Sequence, residues 1–339
     1  MRFPEFTEEW NREKIASILT IGSGKDYKHL SKGTIPVFGT GGYMASVDDF
    51  LYEGESVCIG RKGTINKPLY FNGKFWTVDT LFYTHSFKNV LPKFVYNIFE
   101  QINWLKYNEA SGVPSLSKST IEQIDINIPC VEEQQKIATF LSLIDERIQA
   151  QNKIIEQLET LIKGLCQKLI LNQVPNKKIN NCVSSYSSSL TESDVIDKNG
   201  IYPVYGATGI IAFTENPQIN EDAILIIKDG SGVGKVQYAS DKFSVIGTLN
   251  YLTVKPDVNL KYIFFCLKYF NFEKYKVGSG IPHIYFKDYG ETFIYCPPLE
   301  EQNKIESLLS SIDSKINIET QYIKELKEQK TFLFQQMFV

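Results

Sequence analysis

The sequence predicts an α+β protein with two pseudo-two-fold-related β-rich domains, separated by an antiparallel coiled coil of two long helices. Three observations lead there. A phrase recurs half a chain apart, turn motifs recur in the same order and frame, and a 3.5-residue apolar spacing follows each copy of the phrase. "EEQQKIATFLSLIDERI" (Glu132 to Ile148) returns as "EEQNKIESLLSSIDSKI" (Glu300 to Ile316), 168 residues later in a chain of 339. A period near half the chain length marks a duplication and not a solenoid of short units.

The first domain, residues 1–128, and the third segment, residues 172–297, share a frame. "IPVFGTGG" at Ile35 matches "YPVYGATG" at Tyr202, "CIGRKGTINK" at Cys58 matches "LIIKDGSGVGK" at Leu225, and "SGVPSL" at Ser111 matches "SGIPHI" at Ser279. Between these points lie β-branched and aromatic runs separated by Gly, Asn and Pro, together with the helical stretches "PKFVYNIFEQINWL" and "LKYIFFCLKYF". The polar run from Asn172 to Asp194 reads as a linker and the entry to the second domain. Phe82, Tyr83, Phe264 and Phe265 read as core aromatics.

Residues 129–171 and 298–339 read as the two spacer helices. Steps of four and three give Ile137, Leu141, Ile144, Ile148, Gln151, Ile155, Leu158, Ile162, Leu165 and Leu169 in the first. The second gives Ile305, Leu309, Ile312, Ile316, Glu319, Ile323, Leu326, Lys330, Leu333 and Met337. A 3.5-residue seam held this long belongs to a coiled coil, because a surface helix drifts toward 3.6. Pro129 and Pro297-Pro298 mark the starts, and Glu132-Glu133 and Glu300-Glu301 place carboxylates at the positive ends of the helix dipoles. A seam of this length is about 50 Å long at 1.5 Å per residue. Antiparallel pairing spares the intervening chain a return along the whole rod. It sets Gln151 opposite Ile323 and Ile155 opposite Glu319, either fixing register or facing solvent or a partner.

Composition bounds the chemistry. A net charge of −3 excludes a protein coated in positive potential, so any nucleic-acid contact must come from local patches. Six scattered cysteines without a CxxC pair, and three histidines, speak for reduced structural thiols and against a metal site. No run reaches about 18 apolar residues, so a cytoplasmic chain without signal peptide or membrane anchor is expected. "DGSGVGKV" (Asp229 to Val236) looks superficially like a phosphate-binding loop. It has Asp229 at the first glycine position and Val236 where Ser or Thr should hold magnesium, so it reads as a strand-connecting turn. No adenine-methyltransferase [DN]PP[YF] tetrapeptide occurs, and the acidic residues suggestive of a nuclease include Asp313, on the coiled coil.

Two modules at a fixed separation suit a ligand that repeats along a line, and duplex DNA repeats every 34–36 Å or so. Candidate DNA contacts in the matched loops are Arg61, Lys62, Lys67, Lys228 and Lys235, with Ser115, Ser117, Lys118, His283, Tyr285 and Lys287 after the "SG.P" turns. The plain alternatives are solvated lysines and turns that merely end a segment. Thr40, Tyr43 and Thr208 are weaker candidates.

The opening "RFPEFTEEW", the "PVFG/PVYG" and "GRKG/KDGSGVGK" loops, the "SGVP/SGIP" turns and the "P..EEQ.KI" helices together resemble the specificity subunit of type I restriction-modification systems. The resemblance implies two target recognition domains and a non-catalytic subunit that reads an asymmetric bipartite site in double-stranded DNA with a fixed gap. It also implies two modification subunits that methylate adenine N6 from S-adenosylmethionine, and restriction subunits that use ATP and Mg. The competing expectation is a coiled-coil protein-interaction scaffold that does not touch DNA.

Overall fold

Strand order repeats as faithfully as the turn motifs. In the computed structural model, which describes residues 2–195 and 200–338, the N-terminal half builds a six-stranded sheet. Its order is Thr20–Ser23, Leu81–His85, Tyr52–Gly60, Leu69–Thr77, Lys32–Gly39, Gly42–Val47. The C-terminal half follows the same order in two pieces. Val183–Ser187, Leu249–Val254, Ala223–Ile227 and Val236–Ala239 form one sheet, and Ser244–Val245, Tyr202–Gly206 and Gly209–Thr214 form the other. The break has a local origin: Leu69–Thr77 is one long strand, whereas its counterpart is split at residues 240–243. Even the parallel contact is kept, with Val37 beside Trp76 in one half and Val204 beside Ser244 in the other.

Each main sheet buries its apolar face against a helix. Pro92–Gln101 brings Phe94, Val95 and Phe99 into one core with Val57 and Ile59. Leu260–Lys268 brings Tyr262, Ile263 and Phe265 into another with Ile224 and Ile226. Phe82, Phe264 and Phe265 are buried, and Tyr83 is half-buried. Among the described residues, no helix is long and apolar enough to cross a membrane.

The chain divides into two compact units, Met1–Gln151 with Tyr322–Val339, and Asn152–Gln321. Both cuts fall within the long helices Val131–Cys166 and Leu299–Met337. The helices pair antiparallel inside each unit. In the first, Ile137 and Leu141 share a core with Phe334 and Met337, and further along Asp145 meets Lys330 at 2.7 Å. In the second, Ile162, Cys166 and Ile170 share a core with Ile305 and Leu309. Of the remaining seam positions, Gln151, Glu319 and Ile323 are buried, while Ile144, Ile148, Ile155, Leu158, Ile312, Ile316 and Leu326 are half-buried.

The repeated phrase owes its glutamine to packing. Gln134 is buried, accepts a hydrogen bond from the Leu91 N–H at 2.9 Å, and donates to the carbonyls of Asn89 and Pro129, both at 3.0 Å. Gln302 does the same in the other half, accepting from the Asn259 N–H at 2.9 Å and donating to the Pro297 carbonyl at 2.8 Å. Leu91 and Asn259 are the N-caps of the two sheet-covering helices. Each glutamine therefore ties the start of a long helix to the start of its domain's helix, which explains why the letter recurs. Glu133 is not chiefly a dipole partner. It is buried and takes a bidentate pair from Arg2, at 2.7 and 2.6 Å.

Candidate nucleic-acid interface

In each half the fold laces together two motifs that lie some fifty residues apart in sequence. The loop after Tyr52–Gly60 is held by Arg61 and Lys62, whose backbone N–H groups donate to the Thr80 carbonyl at 2.8 and 3.3 Å. Gly63 N–H then donates to the Pro114 carbonyl at 2.8 Å, Leu116 N–H to the Arg61 carbonyl at 2.9 Å, and Lys62 bridges Ser115. In the other half, Lys228 N–H donates to the Thr248 carbonyl at 3.0 Å, Gly230 N–H to the Pro282 carbonyl at 3.0 Å, and Ile284 N–H to the Lys228 carbonyl at 2.9 Å. There Asp229 bridges His283. Gly63 and Gly230 have φ of +93° and +97°, a conformation that a side chain would strain. This shared hook needs only backbone groups and one glycine, so the surrounding side chains are free to differ.

They differ in charge. The first hook borders an open cleft of about 570 Å³, whose walls include Arg61, Lys62, Ser115, Ser117, Lys118 and Glu109. The Arg61 guanidinium stands 5.9 Å above the centroid of the Phe82 ring, and its Nη1 donates to the Asp79 carbonyl at 3.4 Å. Both Arg61 and Lys62 are exposed, and neither makes an ion pair among the described residues. Lys118 pairs loosely with Glu122 at 3.6 Å. Ser117 caps the short helix Lys118–Glu122, accepting from the Thr120 N–H, and its hydroxyl donates to Glu109 at 2.7 Å. Hydrogen bonds from Thr120 and Ser117 hold the Glu109 carboxyl below its ordinary range, so it stays ionised and fastens the cleft wall. Thr40, at a hairpin tip, lies beside Gly63, where an added Cβ would be 3.5 Å from its hydroxyl. Tyr43 on the same hairpin is exposed.

At the second hook Asp229 replaces Lys62, and its carboxylate meets His283 Nδ1 at 2.6 Å. Lys228 is half-buried, Tyr285 is exposed, and the Lys287 ammonium lies 5.4 Å from the Tyr285 ring centroid. Lys67 and Lys235 are exposed near the far ends of their loops, and Lys67 is not among the residues lining the first cleft. The Asp229 loop runs directly into the strand Val236–Ala239. A phosphate-binding loop would open a helix there instead.

Three positions escaped the sequence reading. Thr80 and Thr248 supply the carbonyls that anchor the hooks, and Glu109 braces one of them. The threonines had a signal: "DTLFY" from Asp79 and "GTLNY" from Gly247 stand 168 residues apart. Glu109 had none, since Val277 occupies its place in the second copy.

The chain is similar to known proteins along nearly its whole length. A putative type I specificity subunit of Mycoplasma pneumoniae is 23% identical over 337 residues, spanning 88% of each chain. The Type I restriction enzyme MjaVIII specificity subunit of Methanocaldococcus jannaschii is 24% identical over 322 residues, spanning 81% of this chain and 73% of that one. The crystal structure of a type I restriction-modification system S subunit from M. genitalium superposes with a TM-score of 0.75 at 17% identity, covering 99% of this chain and 97% of the other. The family model for the type I restriction modification DNA specificity domain matches twice, over residues 7–160 and 178–328, and each match contains one complete hook. The chain therefore belongs to the type I restriction-modification DNA specificity family.

Proposed function

We propose that this chain is the DNA-reading subunit of a type I restriction-modification complex, with one hook serving each half of an asymmetric, gapped site. The carrying observation is that both family domains hold the same backbone hook with different side chains. Arg61 and Lys62 stand at one, and Lys228 with the Asp229–His283 pair at the other. Identical geometry suits the same groove of the same polymer, and unlike side chains suit unlike bases. In this reading Arg61 would contact a guanine edge or a phosphate, Lys62 and Lys118 would contact phosphates, and His283 and Tyr285 would meet base edges of the other half-site. Lys67, Lys235 and Lys287 would add backbone contacts, and Ser115 and Ser117 would position their neighbours.

In this reading the chain itself is non-catalytic and acts in the cytoplasm. Two modification subunits would bring S-adenosylmethionine for adenine N6 methylation, and restriction subunits would bring ATP and Mg for translocation and cleavage. The long helices would set the gap between half-sites.

The test is to co-express the chain with its modification subunit and map methylated adenines by single-molecule sequencing. One asymmetric, gapped motif is expected. Arg61→Ala should relax or erase one half of it and leave the other intact, at a cost of about 1–3 kcal/mol in discrimination. A complex that assembles and binds methyl donor but yields no motif would overturn the reading in favour of a protein scaffold.

A further inference from the structure

The end of the second long helix meets the N-terminal domain through contacts that the duplication does not repeat. Lys330 occupies a seam position and is only 13% exposed, with Nζ 2.7 Å from Asp145 and 3.1 Å from Glu100. The Tyr96 hydroxyl donates to the same Glu100 carboxylate at 3.0 Å. Further along, Phe338 stacks on Phe94 with centroids 5.6 Å apart and meets the edge of Trp10 at 5.9 Å, while Phe334 is buried beside it.

In the 168-residue frame Lys330 corresponds to Ile162, Phe334 to Cys166 and Phe338 to Ile170, all three buried in the core of the other unit. Asp145 and Glu100 correspond to Asp313 and Lys268, which pair directly with each other at 2.9 Å. The two receiving sites thus make opposite demands. One holds two carboxylates that need a cation from the arriving helix. The other is already neutralised and takes an aliphatic residue.

We propose that Lys330, Phe334 and Phe338 form a pairing key that commits the end of the second long helix to the N-terminal domain and bars it from the equivalent place on the C-terminal domain. Exchanged ends would fail in charge and in volume. Ile162 over Glu100 and Asp145 would strand two partly buried carboxylates, and Lys330 beside Lys268 would set two ammonium groups against one aspartate. Two phenylalanines in a site filled by Cys166 and Ile170 would overpack it, and the reverse exchange would leave a cavity. Because the halves share one frame, an end without such a key would fit either domain, in this chain or in a second copy. The key closes each chain on its own unlike halves, so one particle carries one of each recognition domain. This does not depend on what the domains bind.

The test uses the intact chain in four forms: wild type, K330I, E100K and the K330I/E100K double variant, which rebuilds at residues 100, 145 and 330 the Lys268–Asp313–Ile162 arrangement of the other half. Each single variant should lower the melting temperature by several degrees and yield dimers or larger species in light scattering after refolding from denaturant. The double variant should recover most of the lost melting temperature, a non-additivity expected only if these side chains act as one unit. Lys330→Arg, which keeps the cation, should behave as wild type. Single variants that keep wild-type melting and mass, or a double variant whose loss equals the sum of the singles, would overturn the proposal.

Discussion

At the first hook Arg61 and Lys62 stand exposed around a cleft, whereas at the second an aspartate follows Lys228 and holds His283 at 2.6 Å. Three of the backbone hydrogen bonds beneath them correspond, those donated by Arg61, Gly63 and Leu116 in one half and by Lys228, Gly230 and Ile284 in the other, and the first hook adds a weaker one from Lys62. Geometry in this protein is carried by main-chain groups that any sequence possesses, together with a glycine that each hook requires. Side chains at the same places are therefore free to alter charge and shape without disturbing the frame. That separation lets two copies of one domain stay similar in fold while presenting different surfaces.

The comparison can be broken most forcefully at what the halves share. Gln134→Leu and Gln302→Leu should each destabilise their own unit by about 2–4 kcal/mol, since each leaves buried backbone groups without partners. Denaturant unfolding of the intact chain reads this. A wild-type midpoint for either variant would show that its half does not use the glutamine as an anchor.

A smaller effect sharpens the difference in charge. Lys62→Ala should lower the slope of log affinity against log salt by about 1 for the assembled complex on its DNA. Asp229→Asn should steepen that slope, because it removes a carboxylate that opposes cations at the second hook. Equal, unchanged slopes would mean that neither residue lies near phosphate.

The smallest effect concerns acid. Glu109 has a folded-state value held below its ordinary one by hydrogen bonds from Thr120 and Ser117. Its contribution is therefore present above the ordinary carboxylate value and is lost as pH falls through the depressed folded value. Glu109→Gln should loosen the first cleft wall at neutral pH, and the difference from wild type should vanish in acid. The second half has Val277 at that place, so its hook lacks this brace. Comparing wild-type and variant melting across pH decides it, and a difference that persists in acid would remove Glu109 from the brace.

Much of the frame was legible because a duplication leaves its trace in one dimension. Spacing alone marked the seam and its polar breaks at Gln151 and Glu319. The turns at Gly63 and Gly230 were marked because few residues tolerate their backbone conformation. The joining of "GRKG" to "SGVP" was not legible, since backbone hydrogen bonds between distant segments demand no particular side chain. Gln134 and Gln302 are letters without a role until the fold is known, and Glu133 looks like a dipole partner in sequence because its cation, Arg2, lies 131 residues away.

Repetition and periodicity are properties of a string, and residue order therefore sufficed for the two halves, the helical seam and the family resemblance. Which charges meet is a property of distance in the folded chain. Asp229 came to hold His283, Glu109 to brace Ser117, and Lys330 to lie between Glu100 and Asp145 because folding brought separate segments within about 3 Å. Local preference carries no record of such encounters, so the differences between the halves emerged with the fold.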